Sequence, residues 1–448
     1  MRKIYYLLFI SVLFFTGCDD ELELSNPTLI SSDDYITDDA SAQLALDGIY
    51  DELQTTFYYG APYMTTGLYA DEFAHSGSYT SYDEFVVNLL SADNSYLETI
   101  WNNYYATIYR ANAVIITLEG LGDDAVSSSV KTAVIAEAKA LRAFLYFDLV
   151  RLWGALPIPT ELISSNASAY NYARSSVSDV YDYILSDLND ADGNIADSDI
   201  YHFSNDAVKV LKAKIYLTQG EYASAQTALE SVIGQYSLVS DYADLFVTGS
   251  NNEAILRINY SSDDKNYLAF FFYPSSLGGR REAAPNQTSL DAFDSDGGTR
   301  SEILAQTSSL SAVYLNKYSD ISTGTDQPYI YRYADVLLLY AEALAQQGSS
   351  DKLATATGYV NEVRERAGME DIDLTSSNYI DLIAQERRVE FYGEGHRWYD
   401  AVRLGIVDDV IANKDESSFT SNYQLWPIPQ SEIDANGSIS SGDQNPGY

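Results

Sequence analysis

Apolar residues recur at intervals of three and four along most of this chain, a spacing that admits helices and little else. From Leu97 to Ile115, the residues Leu97, Ile100, Trp101, Tyr104, Ile108, Ala111 and Ile115 fall on one stripe. Val130–Trp153 repeats the pattern through Val134, Ala138, Leu141, Leu145 and Leu149. Four more segments follow as two pairs. Asp206–Leu217 and Tyr222–Ile233 are joined by Gln219-Gly220-Glu221, and Tyr331–Gln347 and Leu353–Ala367 by Gly348-Ser349-Ser350-Asp351. The expected fold class is mostly α.

Both pairs read as a helix rich in small residues, a turn with glycine, and a second helix with alanine at close-packing positions. "AKIYLTQGEYASAQTAL" and "AEALAQQGSSDKLATATGYVNEVRERAG" resemble tetratricopeptide hairpins. The pairs are degenerate and not contiguous, so an uninterrupted solenoid is not expected. Three stretches break the helical pattern: Phe57–Asn94, Pro157–Ser176, and Asp241–Gln327 with its strand-like "EAILRINY". Irregular segments in a helical frame are where binding residues tend to sit. The tail from Asn422 is too rich in Pro and Gly to read as helix.

The chain carries 26 Lys+Arg against 65 Asp+Glu, a formal charge of −39. Such a surface repels phosphate backbones and anionic headgroups, which argues against nucleic acid and against a basic membrane patch. Cys18 is the single cysteine, so no intramolecular disulfide can form and cysteine metal motifs are out. Arg2-Lys3 followed by the apolar run Ile4–Phe15 reads as a secretory leader over residues 1–17. Its end, Phe15-Thr16-Gly17-Cys18, resembles the lipobox of bacterial lipoproteins, with Phe15 where leucine is usual. That implies lipidation of Cys18, and buried acyl CH₂ groups at about 0.8 kcal/mol each would hold an acidic protein to a membrane. Asp19-Asp20-Glu21 next to it resembles the surface-export signal of Bacteroidetes lipoproteins.

Catalytic signatures fail in turn. There is no Gly-x-Ser-x-Gly, no phosphate loop and no His-Glu-x-x-His. His75, His202 and His396 share no ligand spacing. "DAFDSDGGTR" places Asp294 and Asp296 at calcium-loop positions, but Ala292 and Ile303 occupy two others that need oxygen, which excludes an EF-hand. No metal and no cofactor is expected. Glu386, Arg387, Arg388 and Glu390, close together in "QERRVEFYGEGHRWYDAVRLG", read as ion pairs that fix a helix rather than as an acid/base couple.

That last segment resembles the C-terminal signature of the SusD/RagB family of nutrient-binding outer-membrane lipoproteins. "YRYADVLLLYAEALAQQG", "WPIPQSEIDAN", the terminal "QNPGY", "AEAKALRAFLYFDLVRLWGALPIP" and "WNNYYATIYRANAVI" match further family segments in order. The resemblance implies a SusD-like fold of tetratricopeptide-like hairpins with an irregular, loop-rich subdomain. The N-terminal part is expected over about residues 18–235 and the C-terminal part over about 236–448. It implies no catalysis, capture of an oligomeric nutrient, a glycan before a peptide, and a SusC-like TonB-dependent transporter as partner. A lipid-anchored glycoside hydrolase is the alternative of another class. The matching ligand regions are the loop His75–Tyr82, the turn before the Trp101 helix, and Phe270–Arg281. From these Tyr79, Tyr82, Asn94, Tyr273, Arg280 and Arg281 are the candidate ligand residues, with Phe271, Phe272 and Tyr96 next. Tyrosine stacks on sugar faces, while Asn and Arg bind hydroxyls or carboxylates. The four tryptophans lie in or beside the family segments and are expected in the core.

Overall fold

A computed structural model describes residues 35–448 except 58–59, 163–170, 197–198, 248, 308–312 and 415–416. The leader, Cys18 and Asp19-Asp20-Glu21 lie outside the described residues. The N-terminal half is built from α1 (Asp39–Phe57), α2 (Ala61–Tyr69), strand β1 (Phe73–His75), α3 (Asp83–Val86), α4 (Ser95–Gly120) and α5 (Ser128–Trp153). Then come the short strands β2 (Leu156–Pro157) and β3 (Arg174–Ser175), α6 (Val177–Ala191), α7 (Asn205–Thr218) and α8 (Tyr222–Glu230). The second half holds β4 (Ala254–Arg257), α9 (Leu268–Phe272), β5 (Ala283–Pro285), α10 (Gln287–Asp296), β6 (Leu304–Gln306), β7 (Val313–Leu315) and β8 (Tyr329–Arg332). It closes with α11 (Tyr333–Ala345), α12 (Ser350–Arg366), α13 (Tyr379–Glu390), α14 (Arg397–Leu404), α15 (Val407–Ala412) and α16 (Gln430–Ala435).

The fold is mostly α, as the periodicity implied. α1 packs on α4 and α5, and α5 on α6. From Ala136 onward α5 is buried on almost every side, the mark of a central helix. Its Arg142 is satisfied inside that layer by Asp187 of α6, at 2.8 Å to both oxygens, and by Asn112 of α4 at 2.6 Å. The hairpins α7–α8 and α11–α12 both form, and α8 packs on α11. Their turns need left-handed residues after the helix end, which Gly220 (φ +77°) and Gly348 (φ +73°) supply.

Among the described residues the strands make four two-stranded antiparallel pairs: β1–β5, β2–β3, β4–β8 and β6–β7. "EAILRINY" forms β4 as expected, but its partner is Tyr329–Arg332. Tyr331 and Arg332 are therefore strand rather than the start of a helix, and α11 begins at Tyr333. Three segments read as irregular contain helix. Gly60 at φ +63°, followed by a proline in the first turn, starts α2. α10, capped by Asn286, absorbs "DAFDSD". The short α16 follows Pro429 in the tail.

All four tryptophans are core: Trp101, Trp153, Trp398 and Trp426 are at most 1% exposed. The tail is what closes the N-terminal helices. Trp426 N–H donates to the Leu152 carbonyl at 2.7 Å, Trp153 Nε1 to the Pro427 carbonyl at 2.7 Å, and Asn445 Nδ2 to the carbonyls of Trp153 and Trp426. Glu386, Arg387, Arg388 and Glu390 are all buried in ion pairs, but their partners come from other elements rather than from one another. Arg300 takes Glu386 (2.5 Å) and Glu390 (3.2 Å); Arg387 takes Asp335 and Asp400, each at 2.7 Å; Arg388 takes Asp71 at 3.2 Å. Arg332 joins Glu253, Glu390 and Glu394. Burial opposes ionisation of Glu394, but Arg332 and Lys317 hold it down to about 2. This network staples α11, α13 and α14 to β8.

Candidate ligand-binding platform

Two loops that are some 200 residues apart in the chain meet because β1 pairs with β5, His75 opposite Ala283. The pairing continues one step past the strand end: Ser76 N–H donates to the Glu282 carbonyl at 3.3 Å. The loop after β1 therefore lies beside the loop before β5. The N-terminus of α4 completes the patch with Tyr96. Asn94 caps that helix, accepting from the N–H groups of Tyr96 (3.0 Å) and Leu97 (3.2 Å). Its own amide donates to the Ser81 carbonyl and to Glu84, each at 2.9 Å, tying the helix start to the loop.

Glu282 is the hub. It is fully buried and its Oε2 accepts the backbone N–H groups of Ser78 (3.0 Å) and Tyr79 (3.1 Å). Its Oε1 accepts from Arg280 Nε at 2.9 Å, and His75 bridges it to Asp83 at 2.9 and 2.6 Å. Burial pushes this carboxyl up, but the hydrogen bonds from His75, Arg280 and Tyr79 outweigh it and hold it below the ordinary glutamate range. A buried anion thus fixes the turn that carries Tyr79.

Tyr79 is 39% exposed, the Arg280 guanidinium lies 4.0 Å from its ring centre, and Arg280 also donates to Ser78 Oγ. Tyr96, half-buried, stacks on Tyr82 at 4.0 Å and meets Tyr79 edge-on at 6.2 Å; Phe271 lies 6.4 Å from Tyr79. Tyr79, Tyr96 and Arg280 therefore form an aromatic surface with hydrogen-bond donors at its edge.

The other candidates lie where the sequence did not place them. Tyr82 is fully buried beneath Tyr96, and Asn94, 3% exposed, is spent on capping. Tyr273 is 8% exposed; its hydroxyl donates to Asn316 and its ring meets Tyr314 at 4.8 Å, away from Tyr79. These three support the patch from below or beside it and do not offer a face to solvent. Arg281 is half-buried, with Nε and Nη2 on the Val313 carbonyl and Nη1 on Ser76 Oγ. Phe271 and Phe272 are core. Tyr96, held in reserve by the sequence reading, joins the aromatic patch; its position two residues after the cap is the signal that could have found it.

A partly enclosed cavity lies elsewhere, between α5, α7, β8 and α14, lined by Phe147, Arg151, Lys214, Tyr331, His396 and Tyr399. At about 60 Å³ it holds about two waters, far below the roughly 300 Å³ of a small-molecule pocket. Its cations are already paired, Arg151 with Asp148 and Lys214 with Asp335. Asp291, Asp294 and Asp296 sit on α10 rather than in a loop, and among the described residues no group of three or more His, Cys, Asp or Glu is arranged to hold a metal.

The fold is thus a helical scaffold of tetratricopeptide-like hairpins whose loops converge on an aromatic, arginine-edged patch. The chain belongs to the SusD family, whose sequence pattern matches residues 190–448. Residues 27–217 match a second family, described as starch-binding and associating with the outer membrane. SusD-like protein P38 of Formosa agariphila is 28% identical, with 95% of each chain covered. A SusD-like protein of Bacteroides ovatus is 29% identical over 72% of this chain and 68% of its own. In three dimensions the fold is that of a laminarin-binding SusD-like protein (TM-score 0.78, 24% identity, 91% of this chain and 99% of the other). It is equally that of surface glycan-binding protein A from Bacteroides thetaiotaomicron (TM-score 0.78, 23% identity, 92% and 100%). Among the described residues no helix is long and apolar enough to cross a membrane.

Proposed function

We propose that this protein captures a glycan at the Tyr79–Tyr96–Arg280 platform without turning it over, and delivers it to a SusC-like TonB-dependent transporter. The observation that carries the reading is the buried Glu282 hub, which holds an exposed tyrosine and an arginine rigidly together. A preorganised aromatic loses little entropy on binding, and sugars need a flat apolar face because their hydroxyls roughly break even with water. The names of the relatives, glycan- and laminarin-binding among them, support the ligand class. The family description supports the outer membrane as the location, and the lipobox-like end of the leader supports lipid on Cys18 as the anchor.

The test is calorimetry and affinity gels with a panel of polysaccharides, alongside an assay for new reducing ends. Binding without new reducing ends is expected. Tyr79→Ala and Tyr96→Ala should each weaken binding tenfold or more, since a stacked aromatic at a recognition site is worth about 2 kcal/mol. Glycan affinity unchanged in both variants, or steady release of reducing ends, would overturn the proposal.

A further inference from the structure

Adjacent arginines at the rim of the platform differ in what their charge is tied to. Arg280 is paired with Glu282 at 2.9 Å. Arg281 has no carboxylate within ion-pair distance among the described residues. Its partners are the Val313 carbonyl (3.3 and 2.9 Å) and Ser76 Oγ (3.2 Å), all neutral. Arg174 and Arg257 also lack a carboxylate partner among the described residues, but each is held by three backbone carbonyls, Arg174 by Ala155, Asp443 and Trp153 and Arg257 by Gln327, Val247 and Gly249, where Arg281 meets one. Three of its five N–H donors are used, so it keeps a full positive charge and donors to spare. Burial pushes its pKa down, and no neighbouring acid opposes that.

The backbone at this position is strained. Arg281 has φ +52°, and with Asn88 it is one of two non-glycine residues in the left-handed region among those described. The strain is held from both sides. Ser76 Oγ donates to the Arg281 carbonyl at 2.6 Å, and the N–H groups of Arg280 and Glu282 donate to the carbonyls of Phe270 and Phe271, each at 2.7 Å. Glycine would fit such a backbone more easily. What stands there instead is an unneutralised guanidinium. Arg280 and Arg281 set two positive charges at this rim against Asp83, Glu84 and Glu282, and of the two only Arg281 has no carboxylate to hold.

We infer that the platform selects an acidic glycan, with Arg281 binding a sulfate or carboxylate on a sugar next to the one stacked on the tyrosines. The inference rests on the platform being the glycan site. An oxyanion replaces the counter-charge that the fold does not provide, and guanidinium–oxyanion pairs are among the stronger hydrogen-bonded contacts. The neutral glycan would engage the aromatic patch alone.

Matched polymer pairs that differ only in charge test it on the full-length protein. Dextran sulfate against dextran reads sulfate, and polygalacturonate against its methyl ester reads carboxylate. In at least one pair the acidic polymer should bind tenfold or more tighter at about 0.15 M salt, where a screening length of about 8 Å hides the distant acids and leaves the contact with Arg281. Arg281→Gly keeps the backbone conformation and should remove that advantage with the melting temperature unchanged; Arg281→Lys should keep part of it. Equal or tighter binding of the neutral member in both pairs, or full acidic preference in Arg281→Gly, overturns the inference. If Tyr79→Ala abolishes binding while Arg281→Gly leaves the preference intact, only the inference falls. If Tyr79→Ala and Tyr96→Ala bind like wild type, the platform reading falls, and binding to none of the polymers counts against both.

Discussion

Replacing Glu72 by glutamine should stabilise the protein near neutral pH. Glu72 directly precedes β1, 1% exposed. Its Oε1 accepts only the Gly393 N–H at 3.3 Å, and its Oε2 has no partner. Burial, with Asp71 adding to it, pushes this carboxyl up to about 8, against the pull of Arg397 and Lys317. The folded chain therefore holds a proton at pH 7 that the unfolded chain, with an ordinary glutamate at 4.5, has released. A carboxyl raised on folding contributes its full stability below pH 4.5 and loses it as pH rises toward 8. At pH 7 the loss is about 3 kcal/mol. Glutamine is neutral throughout, and its NH₂ replaces an oxygen that is equally unpartnered, so the desolvation terms nearly cancel. At about 2.1 cal/mol/K per residue the unfolding entropy of this chain is roughly 0.9 kcal/mol/K, so about 3 kcal/mol is about 3 °C. Differential scanning calorimetry should show Glu72→Gln melting about 3 °C above wild type at pH 7 and level with it at pH 4.5. A difference that does not change with pH, or a lower melting point at pH 7, refutes the reasoning.

Tyr82→Ala and Tyr273→Ala should each destabilise by about 3–5 kcal/mol, the usual cost of truncating a buried aromatic. Melting points unmoved in both would mean these rings are not packed as described, the outcome the sequence alone suggested. Arg387→Ala takes one of two cations from each of the buried Asp335 and Asp400, which keep Lys214 and Arg403, and should cost up to about 3–5 kcal/mol, read as a lower melting point with normal ligand affinity in the folded fraction. A well-folded variant that has lost its ligand would move this cluster into the site. Cys18→Ala should move the protein from the membrane to the soluble fraction of cells lacking the partner transporter, and retention in the membrane would refute lipid anchoring.

The helices were legible because burial imposes a period. α5 runs Ser128–Trp153 where the apolar stripe ran Val130–Trp153, and α4 extends the Leu97–Ile115 stripe only by its cap and last turns. Where a single local residue decides, the reading failed. Gly60 and a following proline begin α2 inside a stretch that composition marks as loop, and Asn286 caps a helix over residues that resembled a calcium loop.

The platform was legible as regions and not as residues, and the cause is geometric. A sequence lists Tyr79, Tyr82 and Tyr273 as equal tyrosines in Gly- and Ser-rich loops. Which of them faces water is decided by β1 pairing with β5 across about 200 residues, and by where Glu282 ends up. Glu282 itself carries no local signal: it is one of 65 acids in the chain, and only pairing places its carboxylate under the Ser78 and Tyr79 N–H groups. Arg280 and Arg281 are likewise indistinguishable until one of them finds that carboxylate. In an acidic protein a loop arginine left without an acid is informative, and whether it is so left depends on long-range contacts no local pattern encodes.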